Sequence, residues 1–200
     1  MRIVAGALRG RKLVAPKGHS TRPTADRTRQ ALFDVLEHAP WSPGPAGARV
    51  IDLFAGSGAL GLEAISRGAA FALFVDNDRP AREAVACNID ALGLATRTRI
   101  LALDAARLKG RSAIDGEPFD LAFLDPPYGL GLAEAGLAAL ASGGWLTEGA
   151  VVIVERGEPE GALVAPAYGV VDERTWGAAR VSVLRAAGAP SPRASARRPS

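Results

Sequence analysis

Cysteine is nearly missing from this 200-residue sequence: Cys87 stands alone. A lone thiol excludes a disulfide framework and a cysteine-rich zinc site. Histidine is almost as scarce, with His19 and His38 the only two, and both read as solvent-facing rather than catalytic. No metal ligand set is evident. No run approaches the ~18 apolar residues that a membrane span needs. Residues 1–6 lack the long apolar stretch of a secretory signal, so a cytoplasmic protein is expected. Lysine is rare too, with 3 against 21 arginines. What remains is ordinary globular material. Hydrophobic residues make up 48% and charged residues 22%, enough apolar side chain for the core of one domain with a small appendage.

The net charge of +3 hides an uneven distribution. Residues 1–30 carry eight basic groups (Arg2, Arg9, Arg11, Lys12, Lys17, Arg22, Arg27 and Arg29) against Asp26 alone. Residues 185–200 carry four arginines and no acid, whereas residues 31–184 hold twelve basic and twenty acidic groups. An acidic body with basic ends suggests a polyanionic partner gripped by the ends.

The chain divides into a basic extension (1–40), a main domain (48–185) and a tail (186–200) rich in Ala, Pro, Arg and Ser that should be disordered. In the extension, 2–5 and 12–15 read as a hairpin around the 6–10 break, and Thr24 can cap a helix running to about His38. Beyond Pro40-Trp41-Ser42-Pro43-Gly44-Pro45, strands and helices alternate. Strands are expected at 49–54, 71–75, 99–103, 120–124 and 150–154. Helices are expected at 60–67, 80–92 and 132–141, with Asp78 as the cap ahead of Pro80. A closing antiparallel pair is expected at 164–172 and 180–184. This order predicts an α/β fold, a mostly parallel sheet with helices on both faces.

Gly56-Ser57-Gly58-Ala59-Leu60-Gly61 lies between a strand and a helix, where glycines permit a tight turn and close approach of a ligand. A dinucleotide site is one reading; a packing turn is another. Asp52, just ahead of the loop, repels a pyrophosphate but suits the ammonium of an amino-acid end. S-adenosylmethionine has that ammonium and no phosphate. The run Asp52-x-Phe54-x-Gly56-x-Gly58 resembles motif I of the class I S-adenosylmethionine-dependent methyltransferases. Asp76, with Asn77, ends the second strand, where a carboxylate can accept from ribose hydroxyls. Asp104, with Ala105, follows the third, where it can either accept from an adenine amino group or cap a helix.

Asp125-Pro126-Pro127-Tyr128 is the sharpest feature. Two prolines lack N–H groups and have fixed φ, so neighbouring carbonyls can face a pocket, and Asp125 adds a side-chain acceptor. Acceptors are what an exocyclic amino group needs, because its lone pair is delocalised into the ring until its N–H groups are oriented. Tyr128 can stack on the base. The tetrapeptide resembles motif IV of amino-group methyltransferases, which act on adenine, cytosine or guanine.

Residues 1–13 and 21–33, together with 52–69 and 125–128, closely resemble the RsmD family, bacterial methyltransferases that modify the N2 of one guanine in small-subunit ribosomal RNA. The resemblance covers about 1–185. It departs at Asp76, where the family more often has glutamate, and at Trp176-Gly177, where a tyrosine–glycine pair is common. It implies a Rossmann-like, seven-stranded methyltransferase fold that binds S-adenosylmethionine through Asp52, Phe54, Gly56, Ser57, Gly58, Asp76, Asn77, Asp104 and Ala105. It implies that Asp125, Pro126, Pro127 and Tyr128 are catalytic, and that Arg2, Arg9, Arg11, Lys12, Arg22, Arg27 and Arg29 engage 16S ribosomal RNA within a small-subunit assembly; Arg27 or Arg29, on a helix, could instead be scaffold paired with Asp26 or Asp34, and Arg22-Pro23-Thr24 could close over the cofactor. A monomer needing neither metal nor membrane is expected. Two alternatives stand beside it: an amino methyltransferase of another nucleic acid, such as one acting on adenine N6, and a non-enzymatic RNA-binding assembly factor.

Overall fold

A computed structural model describes residues 1–16, 23–111, 116–127, 129–157, 160–177 and 179–187, with backbone alone at 23–25. The helices are α1 (Pro23–His38), α2 (Ala59–Ser66), α3 (Arg79–Leu92) and α4 (Leu132–Ser142). The strands are β1 (Arg49–Leu53), β2 (Phe71–Val75), β3 (Thr98–Leu101), β4 (Phe119–Leu124), β5 (Leu146–Gly157), β6 (Tyr168–Trp176) and β7 (Ala179–Ala186). They form one sheet in the order β3-β2-β1-β4-β5-β7-β6. β1 to β5 pair in parallel, and β7 joins antiparallel to both β5 and β6.

The central strands are buried on both faces, as their continuous apolar runs require. One face packs Phe74, Phe123 and Ile153 against Phe33 and Leu36 of α1, Leu62 of α2 and Val85 of α3. The other packs Ile51, Ala122 and Val154 against Leu137 and Leu140 of α4. Ile3 and Leu13 of the N-terminal extension belong to the first of these clusters, so the extension shares the core of the sheet. No helix among the described residues is long and apolar enough to cross a membrane.

Several sequence expectations shift. The hairpin at 2–5 and 12–15 contracts to a single bridge, Arg2 with Lys12. The reason is competition: the N–H groups of Val4 and Ala5 donate to the Glu63 carboxylate at 2.8 and 2.9 Å instead of to an opposite strand. On the other arm, Val14 exchanges two bonds with the Asn88 amide, a side-chain imitation of a strand partner. α1 starts at Pro23, so Thr24 lies inside its first turn rather than ahead of it. β6 starts four residues later than expected. Pro166 has no N–H for a ladder, and Tyr168 closes a turn by donating to the Ala165 carbonyl at 3.0 Å. β5 is longer than its apolar stretch because polar residues at both ends continue the pairing. Asp78 caps α3 as expected, accepting from the Ala81 N–H at 3.1 Å. The tail beyond 187 lies outside the described residues.

Candidate functional site

The five parallel strands β1 to β5 place their carboxyl ends on one edge of the sheet, and the order reverses between β1 and β4, where ligands of open α/β sheets bind. Asp52 lies in β1, the glycine loop follows it, Asp76 follows β2 and Asp125 follows β4.

The loop is built by backbone conformation. Gly56 and Gly58 have φ of 57° and 76°, the left-handed region that favours glycine. Phe54 adopts φ 61° without being glycine, a conformation that costs energy and persists where the surroundings impose it. A Cβ at Gly56 would meet nothing closer than the Phe54 carbonyl at 3.9 Å, so this stretch of backbone is open to approach. Gly61 serves packing instead. A Cβ there would lie 2.5 Å from the Phe74 ring and 3.2 Å from an Asp52 oxygen. The motif therefore leaves open backbone at Gly56 and packs helix against strand at Gly61.

The Asp52 side chain is 2% exposed and accepts from the Gly61 N–H at 2.9 Å. Burial pushes it well above the usual carboxylate range, the Gly61 bond opposes this, and the negative charges of Asp125 and Asp76 push it further up. Asp76 braces the loop: one oxygen accepts from Gly56 N–H and the other from Asp78 N–H, both at 2.9 Å. Each oxygen keeps a lone pair for a hydroxyl. Ser57 is buried, its hydroxyl donating to the Met1 sulfur at 3.4 Å and its carbonyl accepting from Asn88. Asn77 is exposed. Asp104 caps the short turn at Ala105–Arg107, accepting from Ala106 N–H at 3.0 Å, while Ala105 is buried.

Asp125 is exposed at the rim, whereas Pro126 is buried and Pro127 exposed. Neighbouring protein atoms crowd its carboxyl. Burial is the largest cause pushing it up to about 7, and the charge of Glu155 adds. Tyr128 lies outside the described residues. The following loop is held by Glu160, whose carboxylate accepts from Gly129 N–H at 3.0 Å and from Gly157 N–H at 3.3 Å.

The basic set divides. Arg2, Arg9, Arg11, Lys12 and Arg27 are exposed. Arg2, Arg9 and Arg27 line a recess of about 260 Å³ between the N-terminal turn and α1. Arg22 lies outside the described residues. Arg29 takes the scaffold alternative, paired with Asp26, rather than RNA contact. It is 5% exposed, donates to Asp26 at 2.8 Å and to the Arg2 carbonyl at 2.5 Å, and stands 3.6 Å from Glu63. A guanidinium so enclosed is scaffold. Its place on α1 explains this, since it shares a stripe with Leu32, Phe33 and Leu36.

Sequence reasoning also passed over Glu63 and Glu155. Glu63 is fully buried and gathers the N–H groups of Val4 and Ala5 and the Arg67 guanidinium at 2.9 Å. An acid inside the apolar run of α2 was its only signal. Glu155 was legible only as an acid ending a buried strand.

The donor set of the cleft fits one class of ligand. Three carboxylates around a glycine turn suit a cation with hydroxyl groups and disfavour a polyphosphate. Among the described residues, no cluster of three or more His, Cys, Asp or Glu side chains is placed to hold a metal ion.

Known proteins agree with this geometry. The family described as "Conserved hypothetical protein 95" matches residues 1–185. Ribosomal RNA small subunit methyltransferase D of Escherichia coli K12 is 38% identical over 167 residues, covering 84% of this chain and 80% of the relative. Its namesake from Haemophilus influenzae is 32% identical over 184 residues, covering 88% and 89%. Among solved structures, yhhF from Escherichia coli superposes with a TM-score of 0.79 at 34% identity, covering 94% of this chain and 99% of the other. The ribosomal protein L11 methylase of Lactobacillus delbrueckii, at 19% identity and a TM-score of 0.62, covering 84% and 81%, shares the fold. The chain therefore belongs to the RsmD family described as "Conserved hypothetical protein 95" and is a class I, S-adenosylmethionine-dependent methyltransferase.

Proposed function

We propose that this enzyme methylates the exocyclic N2 amino group of a guanine in small-subunit 16S ribosomal RNA, presented within a subunit assembly, and that it works in the cytoplasm as a monomer. The observation that carries the reading is the placement of Asp125-Pro126-Pro127 at the carboxyl end of β4, next to β1 with its glycine loop and buried acid. Relatives named for ribosomal RNA support the substrate class.

When bound, S-adenosylmethionine supplies an electrophilic methyl group on a sulfonium centre. Asp52 and the loop 54–58 would receive its amino-acid end and Asp76 its ribose, with Asn77, Asp104 and Ala105 bordering the adenine. A cation near Asp52 relieves the repulsion that Asp125 and Asp76 impose on it. The chain's other task is to hold the amine. Asp125 and the carbonyls beside the two prolines accept from its two N–H groups, which frees the nitrogen lone pair to point along the transfer line. Orientation of this kind supplies a large part of the rate of such a displacement. Tyr128 would stack on the base. A stacked guanine cannot reach Asp125, so the target must lie in a loop or be flipped out. Arg2, Arg9, Arg11, Lys12, Arg22 and Arg27 would meet phosphates beside it.

The test is to incubate the enzyme with labelled methyl donor and either naked 16S RNA, assembled small subunits or duplex DNA, then digest and identify the nucleoside. N2-methylguanosine from the RNA arms is expected. N6-methyladenine from any arm contradicts the reading, and no incorporation anywhere points to the assembly-factor alternative.

A further inference from the structure

β5, the strand beside β4, carries an acid of its own near its carboxyl end, Glu155. β4 and β5 run parallel with Phe123 opposite Ile153 and Leu124 opposite Val154. β4 ends at Leu124, and carrying the same register one residue past its end brings Asp125 level with Glu155 of β5. Paired residues of parallel strands point to the same face, and alternate residues share a face. Phe123 and Ile153 face the α1–α3 side, so Asp125 and Glu155 do too. Val50, two residues before Asp52, faces that side as well. Glu155 is half-buried, and its charge acts directly on Asp125. Among the described residues around the pair, β1 brings Asp52, Asp76 follows β2, and β7 sets apolar Val181 opposite Glu155.

Two carboxylates whose charges act on each other do not both ionise easily and titrate as a pair. This matters for a step that amine methylation cannot avoid. The nitrogen forms its bond to the methyl carbon as the donor's C–S bond breaks, leaving the electron pair on sulfur. The nitrogen is then cationic and must lose one N–H proton. An isolated, solvated carboxylate is a weak base for that proton, whereas one beside a second negative charge is a stronger one.

We propose that Glu155 is a positioning residue for the transfer: it pairs with Asp125 so that the Asp125 carboxylate receives the amine proton as the N–methyl bond is completed. The pair then passes that proton to water, to which Asp125 is exposed. This inference rests on the amino-group reading of the site, and its test separates the two.

The first measurement needs neither RNA nor methyl donor. In protein labelled with 13C at aspartate carboxyls, the Asp125 resonance, assigned with Asp125→Asn, is titrated in wild type, Glu155→Gln and Glu155→Asp. Wild type should titrate near 7. Glu155→Gln should move the midpoint down by about one unit, because a negative neighbour is gone, and Glu155→Asp should keep it within about half a unit. The second measurement is the pH profile of single-turnover methyl transfer. The rising limb of Glu155→Gln should shift down in parallel, making it about fivefold more active than wild type at pH 6 relative to its own plateau. That plateau should fall several-fold, and Glu155→Asp should restore both. A merely structural role for Glu155 would lower the rate at every pH alike. An Asp125 titration in Glu155→Gln that superimposes on wild type overturns the proposal. A shifted titration in an enzyme that never forms N2-methylguanosine supports the pairing and overturns the guanine reading instead.

Discussion

Two buried carboxylates in this protein, Glu63 and Asp52, lie eleven positions apart in sequence and meet opposite environments. Glu63 is sealed beneath the N-terminal extension and saturated: two backbone N–H groups, the Arg67 guanidinium and the nearby Arg29 face its two oxygens. Asp52 is as deeply buried, with the Gly61 N–H on one oxygen and two further carboxylates pressing on it from Asp125 and Asp76. Glu63 is a structural anchor that ties residues 4–5 to α2. Asp52 belongs to a cleft left electrostatically incomplete, and that incompleteness is what a cationic ligand corrects. The number of donors around a buried acid, more than its burial, separates the two roles.

The sharpest way to break this contrast is to remove the acceptor at the rim. Asp125→Ala should lower the single-turnover transfer rate by on the order of 100- to 1,000-fold while calorimetry shows donor affinity within about threefold of wild type; loss of donor binding would mean that Asp125 belongs to the cofactor. Next in size is the anchor. Glu63→Gln should cost on the order of 3 kcal/mol of stability, measured by chemical denaturation, because it leaves Arg29 and Arg67 short of a buried partner. A loss below about 1 kcal/mol would place Glu63 among the dispensable ion pairs.

A smaller effect separates the two acids by pH. Folding raises the proton affinity of Asp52, so the folded state holds that proton at pH values where the unfolded chain has lost it. The native protein therefore loses stability from this group as pH rises toward and through its folded midpoint. Asp52→Asn removes the liability, so its melting temperature relative to wild type should increase between pH 5 and pH 8. A difference that is flat or falls with pH would contradict the crowding. Smallest is the arm. Changing Arg9 and Arg11 to Ala should weaken RNA binding and reduce the slope of log affinity against log salt by about one to two; an unchanged slope would remove these two from the phosphate grip.

What the sequence made legible follows the same division. The glycine loop, Asp52 and the Asp125 tetrapeptide are local signals, since spacing along one strand and turn carries them. The Asp78 cap was equally local, an acid directly before Arg79-Pro80. Glu63 escaped because its backbone partners lie 58 and 59 positions away, which no periodicity encodes. Arg29 was open to two readings, phosphate contact or a helix pair with Asp26, and the structure takes the second. Its spacing to Leu32, Phe33 and Leu36 already marked it as inward-facing. Strand ends drifted where polar residues continue a ladder, as in β5, or where Pro166 delays one, as before β6.

The central claim is that crowded acids serve ligand and saturated acids serve fold. Its most direct test is the melting temperature of Asp52→Asn and Glu63→Gln, each scanned with and without saturating S-adenosylmethionine. Asp52→Asn should melt no lower than wild type at pH 8 without ligand but gain much less on adding it, since ligand stabilisation tracks affinity for the native state. Glu63→Gln should melt lower yet gain the full wild-type increment. Equal ligand increments in the two variants, or a full increment in Asp52→Asn alone, would contradict it.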